Sequence, residues 1–226
     1  MGLILCLETT TKACSVALSR DGQCISIKEI VSEKYSHSEN LTVFVESILK
    51  SAGISVNQLD AVAFSVGPGS YTGLRIGCST AKGLCYSLDI PLISIDTLEA
   101  MTHAMEGYKV DLYCPMLDAR RMEVYTALFD KDKSKITETE AKIITDESFE
   151  NELKSNKILF FGDGAEKCKS TITSPNAEYV DGFYPTAKSM AQLAEKKFVN
   201  KDFVDVAYFE PFYLKDFIAG KPKKLI

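Results

Sequence analysis

The chain repeats its own order of elements, and this repetition constrains the fold more than any other feature. Shifted by 110 positions, the opening segment falls on a second one: Glu8 on Asp118, Ala17-Leu18 on Ala127-Leu128, and the charged turn Arg20-Asp21-Gly22 on Asp130-Lys131-Asp132. At a shift of 95, the strand-turn AVAFSVGPG meets NKILFFGDG, with Gly67 on Gly162 and Gly69 on Gly164. The smaller second offset calls for a shorter helix between the matched strands of the second half. Two stretches with one order of elements read as a duplicated domain, each half burying its own layered core. A chain of 226 residues has room for two such lobes, which we assign to 1–106 and 107–226.

Local patterns support this organisation. The apolar run Leu3 to Leu7 ends in Glu8, and Cys14, Val16 and Leu18 then alternate with polar residues, so both segments read as strands. Arg20-Asp21-Gly22 supplies hairpin chemistry before a third strand marked by Ile25, Ile27 and Ile30. Over 38–52 the period changes, with Leu41, Phe44, Val45 and Ile48 on one helical stripe and Gly53 as the stop. Ala61 to Val66 reads as a buried strand and 70–88 as a long helix whose core stripe is Leu74, Cys78, Ala81 and Cys85. A strand over Leu92 to Ile95 and a helix over Thr97 to Glu106 complete a first half of the form β-β-β-α-β-α-β-α.

Composition narrows the functions available. The chain carries 46% hydrophobic and 25% charged residues, as an ordinary globular protein does. No apolar run approaches the roughly 18 residues of a membrane span, and the start lacks a signal-peptide pattern, so a cytoplasmic protein without membrane contact is expected. Seven cysteines stand singly, without CxxC, which favours reduced, buried thiols over a disulfide or metal framework. Two histidines, His37 and His103, lie 66 positions apart without a matching Cys/Asp/Glu cluster, so no metal site is expected. A net charge of -5 argues against autonomous RNA binding, which draws its affinity from a basic footprint.

The densest candidate site is Gly67-Pro68-Gly69-Ser70-Tyr71-Thr72-Gly73-Leu74-Arg75, between a strand and a helix. Such a turn can aim backbone N–H groups at an anion or nucleotide, which makes Gly67, Gly69, Ser70 and Gly73 candidate contacts. Tight strand-to-helix packing with Ser70 as N-cap explains the same residues. The block lacks the GxxxxGK[ST] of a Walker A loop and the GxSxG of a nucleophile elbow, and no catalytic constellation emerges. Glu8 and Asp118, facing each other across a cleft, could hold a Mg²⁺-nucleotide through water, or each could be a solvated strand end. Asp118-Ala119-Arg120-Arg121 with Glu123 and Tyr125 reads as an ion-pair rim. Val43 on the first helix, and Ile76 and Tyr86 on the second, lie roughly opposite the core stripes, as residues of an interface patch would.

ILCLETTTKACSVAL, SHSENL, SVGPGSYTGLRIGCSTAKGL, IPLISIDTLEAM, LDARRMEVY and PFYLKD together resemble the TsaB (YeaZ) family of bacterial tRNA threonylcarbamoyladenosine biosynthesis proteins. The resemblance covers nearly the whole chain, most specifically in 65–84 and more weakly over about 130–205. It implies the α/β acetate-and-sugar-kinase/Hsp70/actin architecture: a two-lobed, duplicated, ribonuclease H-like fold with mixed sheets flanked by helices. It also implies a non-catalytic subunit acting with a catalytic paralogue, TsaD, and an ATPase, TsaE, in N6-threonylcarbamoylation of adenosine 37 in tRNAs reading ANN codons. The paralogue's metal-binding HxxxH corresponds here to Ile95-Asp96-Thr97-Leu98-Glu99-Ala100-Met101, with Thr97 and Met101 in place of the histidines. In the family, the first two helices pack against the same pair in the partner, or in a second copy when the partner is missing. Carried onto this chain, that assigns partner binding to His37, Val43, Ile76, Ser79 and Tyr86. No cofactor is required of this chain, with ATP or ADP expected, if anywhere, at the complex junction, and tRNA reached through the complex. The competing expectation is a nucleotide-dependent enzyme, or a protease acting on the paralogue. The basic tail Lys221-Pro222-Lys223-Lys224 reads as a solvated end.

Overall fold

β1 (Leu3–Glu8) is buried along its whole length, as its unbroken apolar run requires of a central strand. In a computed structural model of the protein, which describes residues 1–32 and 37–215, β1 pairs antiparallel with β2 (Ala13–Arg20) and parallel with β4 (Ala61–Gly67). β3 (Gln23–Val31) forms one edge and β5 (Leu92–Asp96) the other, giving the order β3-β2-β1-β4-β5. Asp21 and Gly22, with φ of 53° and 77°, make the two-residue turn between β2 and β3, a left-handed pair whose twist matches a hairpin. Ile25, Ile27 and Ile30 lie in β3 as the sequence suggests, but on this edge strand their side chains are exposed.

The second sheet contains β6 (Leu112–Asp118), β7 (Glu123–Thr126), β8 (Phe129–Asp130), β9 (Glu140–Ile143), β10 (Ile158–Phe161) and β11 (Ala177–Val180). Its order β9-β7-β6-β10-β11 repeats that of the first sheet, with β8 a short additional partner of β6. The expected duplication is therefore present strand by strand, β2 having a counterpart broken into β7 and β8. The connecting helices differ. α1 (His37–Ala52) runs 16 residues where α4 (Glu150–Ser155) runs 6, which supplies most of the difference between the offsets. The 18-residue α2 (Tyr71–Leu88) is matched by a 3-10 turn at Glu166–Cys168.

α1 and α2 cover the outer face of the first sheet, burying Leu41, Phe44, Ile48, Cys78 and Cys85 against Leu5, Val16 and Phe64. α3 (Thr97–His103) lies between the lobes: Ala100 joins the inner cluster of the first sheet, and Leu98 and Met101 join that of the second. The helix is shorter than the expected 97–106. The first lobe also draws on residues far along the chain. A 3-10 turn at Ala187–Met190 and α5 (Ala191–Val199) pack on its inner face, beside Ile4, Ala17 and Ile93, and Val204 bridges to Leu92. Ser15 and Ser19 on β2 are buried by this cover, and the Ser15 hydroxyl accepts from the Ala187 N–H at 3.1 Å.

Six of the seven cysteines are buried and Cys24 is half-buried, all as free thiols. Burial pushes Cys6, Cys85 and Cys114 up to about 12, so these thiols are inert packing groups. Among the described residues no group of three or more His, Cys, Asp or Glu side chains could hold a metal, and no helix is long and apolar enough to cross a membrane.

Candidate functional site

The glycine-rich turn forms where β4 runs into α2. Gly67 takes φ of +120°, and Gly162, its counterpart in the second half, takes +110°, so the backbone turn itself is duplicated. The remaining glycines let α2 approach the Thr9–Thr11 loop. A Cβ at Gly69 would lie 2.7 Å from the Thr10 carbonyl oxygen, and one at Gly73 would lie 2.0 Å from that of Thr9. Hydrogen bonds lock the contact: the Ser70 N–H donates to the Thr10 carbonyl at 2.7 Å and the Thr9 hydroxyl to that of Gly73 at 2.8 Å. The Ser70 hydroxyl caps α2 by accepting from the Gly73 N–H at 3.4 Å. The packing reading thus accounts for these residues. Gly69 and Ser70 also line the interlobe cleft, whereas Gly67 and Gly73 do not.

Glu8 corrects both expectations placed on it. It is neither a solvated strand end nor a cleft carboxylate, because its side chain is fully buried. One oxygen accepts from the Thr10 N–H at 2.6 Å and the Thr10 hydroxyl at 2.5 Å, and the other accepts from the Ser65 hydroxyl. Burial raises its pKa against the pull of those donors. Asp118 does reach the cleft, where it pairs with Lys167 and accepts from the Arg120 N–H at 3.0 Å. The two carboxylates at matched strand ends therefore do not form a metal clamp.

The cleft is a cavity of about 480 Å³ whose walls include Thr11, Ser70, Asp118, Arg120, Asp163 and Lys215. Asp163, missed in the sequence although it stands between the matched glycines Gly162 and Gly164, accepts from the Asp118 N–H at 3.0 Å. Burial, then the nearby Asp118 charge, pushes it up to about 6, against that hydrogen bond and Lys167. This fixes the sign of a pH effect. An unfolded aspartate titrates near about 3.9, so between about pH 4 and the folded value near 6 the native chain holds a proton that the unfolded chain has released. Stability falls as pH rises through that window, and Glu8, also raised, acts in the same sense. Asp163→Asn should flatten the fall and stabilise the protein at pH 7 by on the order of 1–2 kcal/mol. Urea midpoints measured from pH 4 to 7 with the same slope in both proteins would contradict this.

A second surface lies on the opposite side of the first sheet, along α1 and α2. Val43 and Tyr86 are 54% and 86% exposed, and Ser79 is exposed beside them on α2. Ile76 is half-buried against the core cluster. His37 does not belong to this surface: it is 2% exposed, its Nε2 lies 2.8 Å from the Thr11 carbonyl oxygen, and burial lowers its pKa. It joins the loop that receives α2. Between the helices runs an apolar groove of about 450 Å³ lined by Val45, Leu49, Ile54, Val56 and Leu84. Leu84 falls off the α2 core stripe and Ile54 and Val56 follow Gly53, which is the signal by which the groove could have been found. The basic tail at 221–224 lies outside the described residues.

Two sheets of one strand order, facing each other across a cleft and an interlobe helix, define a two-lobed protein of the actin-like class. Residues 29–222 match the family model described as TsaD, tRNA N6-adenosine threonylcarbamoyltransferase. The chain is 31% identical to the tRNA threonylcarbamoyladenosine biosynthesis protein TsaB of Haemophilus influenzae, over 96% of this chain and 95% of the relative. It is also 31% identical to TsaB of Escherichia coli, over 96% of each. A crystal structure of a Pseudomonas aeruginosa protein described as uncharacterized, with similarity to peptidase YeaZ, superposes with a TM-score of 0.83 at 25% identity, covering 95% of this chain and all of that one. YeaZ of the same organism gives 0.79 at 24% identity, covering 95% of this chain and all of that one. The chain belongs to the TsaB family of tRNA threonylcarbamoyladenosine biosynthesis proteins, itself related to TsaD.

Proposed function

We propose that this protein is a non-catalytic subunit of a tRNA threonylcarbamoyl transferase complex, holding a TsaD-like catalytic paralogue through α1 and α2. The observation that carries this reading is the apolar groove between those helices, together with the outward side chains of Val43 and Tyr86 elsewhere on the same two helices. A TsaE-like ATPase works with the pair, tRNA reaches this chain only through the complex, and the chain needs no cofactor of its own. In the absence of the paralogue, two copies associate through the same helices.

Two further observations favour a supporting role over an enzymatic one. Thr97 and Met101, where the paralogue's histidines would stand, are fully buried, and Met101 packs with Leu117 and Phe161 in the interlobe core. Glu8 is enclosed by hydroxyls below the cleft, where a nucleotide-bound metal could not reach it. The protease alternative gains nothing from the histidines, whose rings rest on the backbone carbonyls of Thr11 and Glu99.

Reconstitution tests the reading. With paralogue, ATPase, tRNA and threonylcarbamoyl-AMP supplied, modification should require this chain and survive Glu8→Gln. Loss of modification by Glu8→Gln in an intact complex would give the cleft a chemical role and overturn the non-catalytic assignment.

A further inference from the structure

Residues 207–215 lie beyond the last strand of the repeated sheets, and they touch both lobes. On the first lobe, the Lys82 ammonium on α2 donates to the carbonyls of Ala207 and Phe209 at 2.9 and 3.1 Å. The Phe209 ring meets Phe64 edge-on, with centroids 5.9 Å apart, and the Phe212 N–H donates to the Val66 carbonyl at 2.8 Å. The Tyr213 ring lies 5.1 Å from that of Tyr71, the first residue of α2. The segment then crosses to the second lobe, where Lys215 pairs with Glu123 on β7 and sits 5.9 Å from the Tyr125 ring centroid. In crossing, Tyr213, Leu214 and Lys215 become part of the wall of the interlobe cavity.

The two ends are held by different physics. Besides the Lys82 ammonium, the first-lobe end uses a backbone hydrogen bond and a buried aromatic partner, Phe64, and these two contacts are not screened by salt. The second-lobe end uses an ion pair with side chains 42% and 21% exposed and a cation held over a ring, both reachable by solvent and subject to screening. We propose that residues 207–215 are a strap, fixed on the first lobe and latched reversibly to the second through Lys215, that gates access to the interlobe cavity. Release of the latch frees the second lobe to move and uncovers the cavity wall. Because Tyr71 opens α2, the strap also links the cavity to the helix carrying the exposed face. The gate does not depend on the identity of any partner.

The test places a reporter thiol on the cavity wall of the full chain. Thr11 is 4% exposed and lines the same cavity as Tyr213, Leu214 and Lys215, so Thr11→Cys, in a background carrying Cys24→Ser, reports whether opening the strap admits reagent to that wall. Labelling by a maleimide is followed residue by residue with mass spectrometry. Lys215→Ala should speed labelling of the reporter about tenfold at low salt, and Lys215→Arg should leave it slow. One molar salt should raise the rate of the parent toward that of Lys215→Ala. Buried Cys6 and Cys114 monitor global unfolding and should stay unlabelled. Equal reporter rates in parent and Lys215→Ala would overturn the gate. So would labelling of Cys114 in step with the reporter, which would make Lys215 a general stabiliser.

Discussion

Gly73→Ala should lower the thermal unfolding midpoint by about 2–12 °C. A Cβ at this position would stand 2.0 Å from the Thr9 carbonyl oxygen, a backbone atom that cannot rotate away. Either α2 lifts off the Thr9–Thr11 loop, breaking the Thr9 hydroxyl bond to the Gly73 carbonyl, or the loop moves and disturbs the Thr10 clamp on Glu8. Overpacking of this kind costs about 1–3 kcal/mol, and a chain of this size loses about 2–4 °C per kcal/mol. Gly83→Ala, on the same helix, supplies the control. It is exposed and its added Cβ would meet nothing within 4 Å, so alanine should gain about 0.5–1 kcal/mol from helix propensity. A calorimetric scan in which both variants shift alike would show that the close approach of α2 to the loop is not the cause.

Val43→Glu combined with Tyr86→Glu should weaken binding of the catalytic paralogue by about ten-thousandfold or more without unfolding the chain. Both side chains point to solvent, so the folded monomer hydrates the new charges at little cost. In a complex seated on α1 and α2, each charge would be buried without a partner, a loss of about 3–5 kcal/mol per site. Tyrosine is also a frequent energetic centre of interfaces. Ile76→Glu should weaken binding too, but its side chain packs partly on the core, so part of its effect would be lost stability. Titration calorimetry with unchanged affinity for the double variant, at an unchanged melting temperature, would move the interface off this face.

Much of the architecture is legible in the sequence for a physical reason: the order of elements along the chain follows hydrophobic period and turn chemistry, and both recur in the two halves. The 110- and 95-position offsets correspond to β1 on β6, β2 on β7 and β8, and β4 on β10. α1 and α2 begin within a residue of their expected starts, because Ser70 caps one and the apolar stripes define both. The site was less legible. A carboxylate at a strand end looks the same whether it faces water or turns inward, and Glu8 turns inward because Thr10 and the distant Ser65 supply hydroxyls. His37 opens an amphipathic helix, where the sequence suggests a surface residue, but the Thr11 carbonyl 26 positions earlier draws its ring inside. Local patterns carry no information about such distant pairings, and for the same reason they do not show that Lys215 meets Glu123.

The late cover on the first sheet sets the order in which the molecule can be completed. As the chain emerges from the ribosome, β1 to β5 can pair early, and α1 and α2 can shield one side of them. The other side, with Ile4, Ala61, Ile93 and Ile95, receives Ala100 of α3 but keeps part of its apolar surface bare until Met190, Leu193 and Ala194 have been made. Gly2, just before β1, finds its hydrogen-bond partner in Glu195, 193 positions later. Such separations delay closure and lengthen the exposure of a sticky nascent surface. Although the sequence is built from two repeats, the first lobe is a late product of synthesis and cannot be completed before the second has been made.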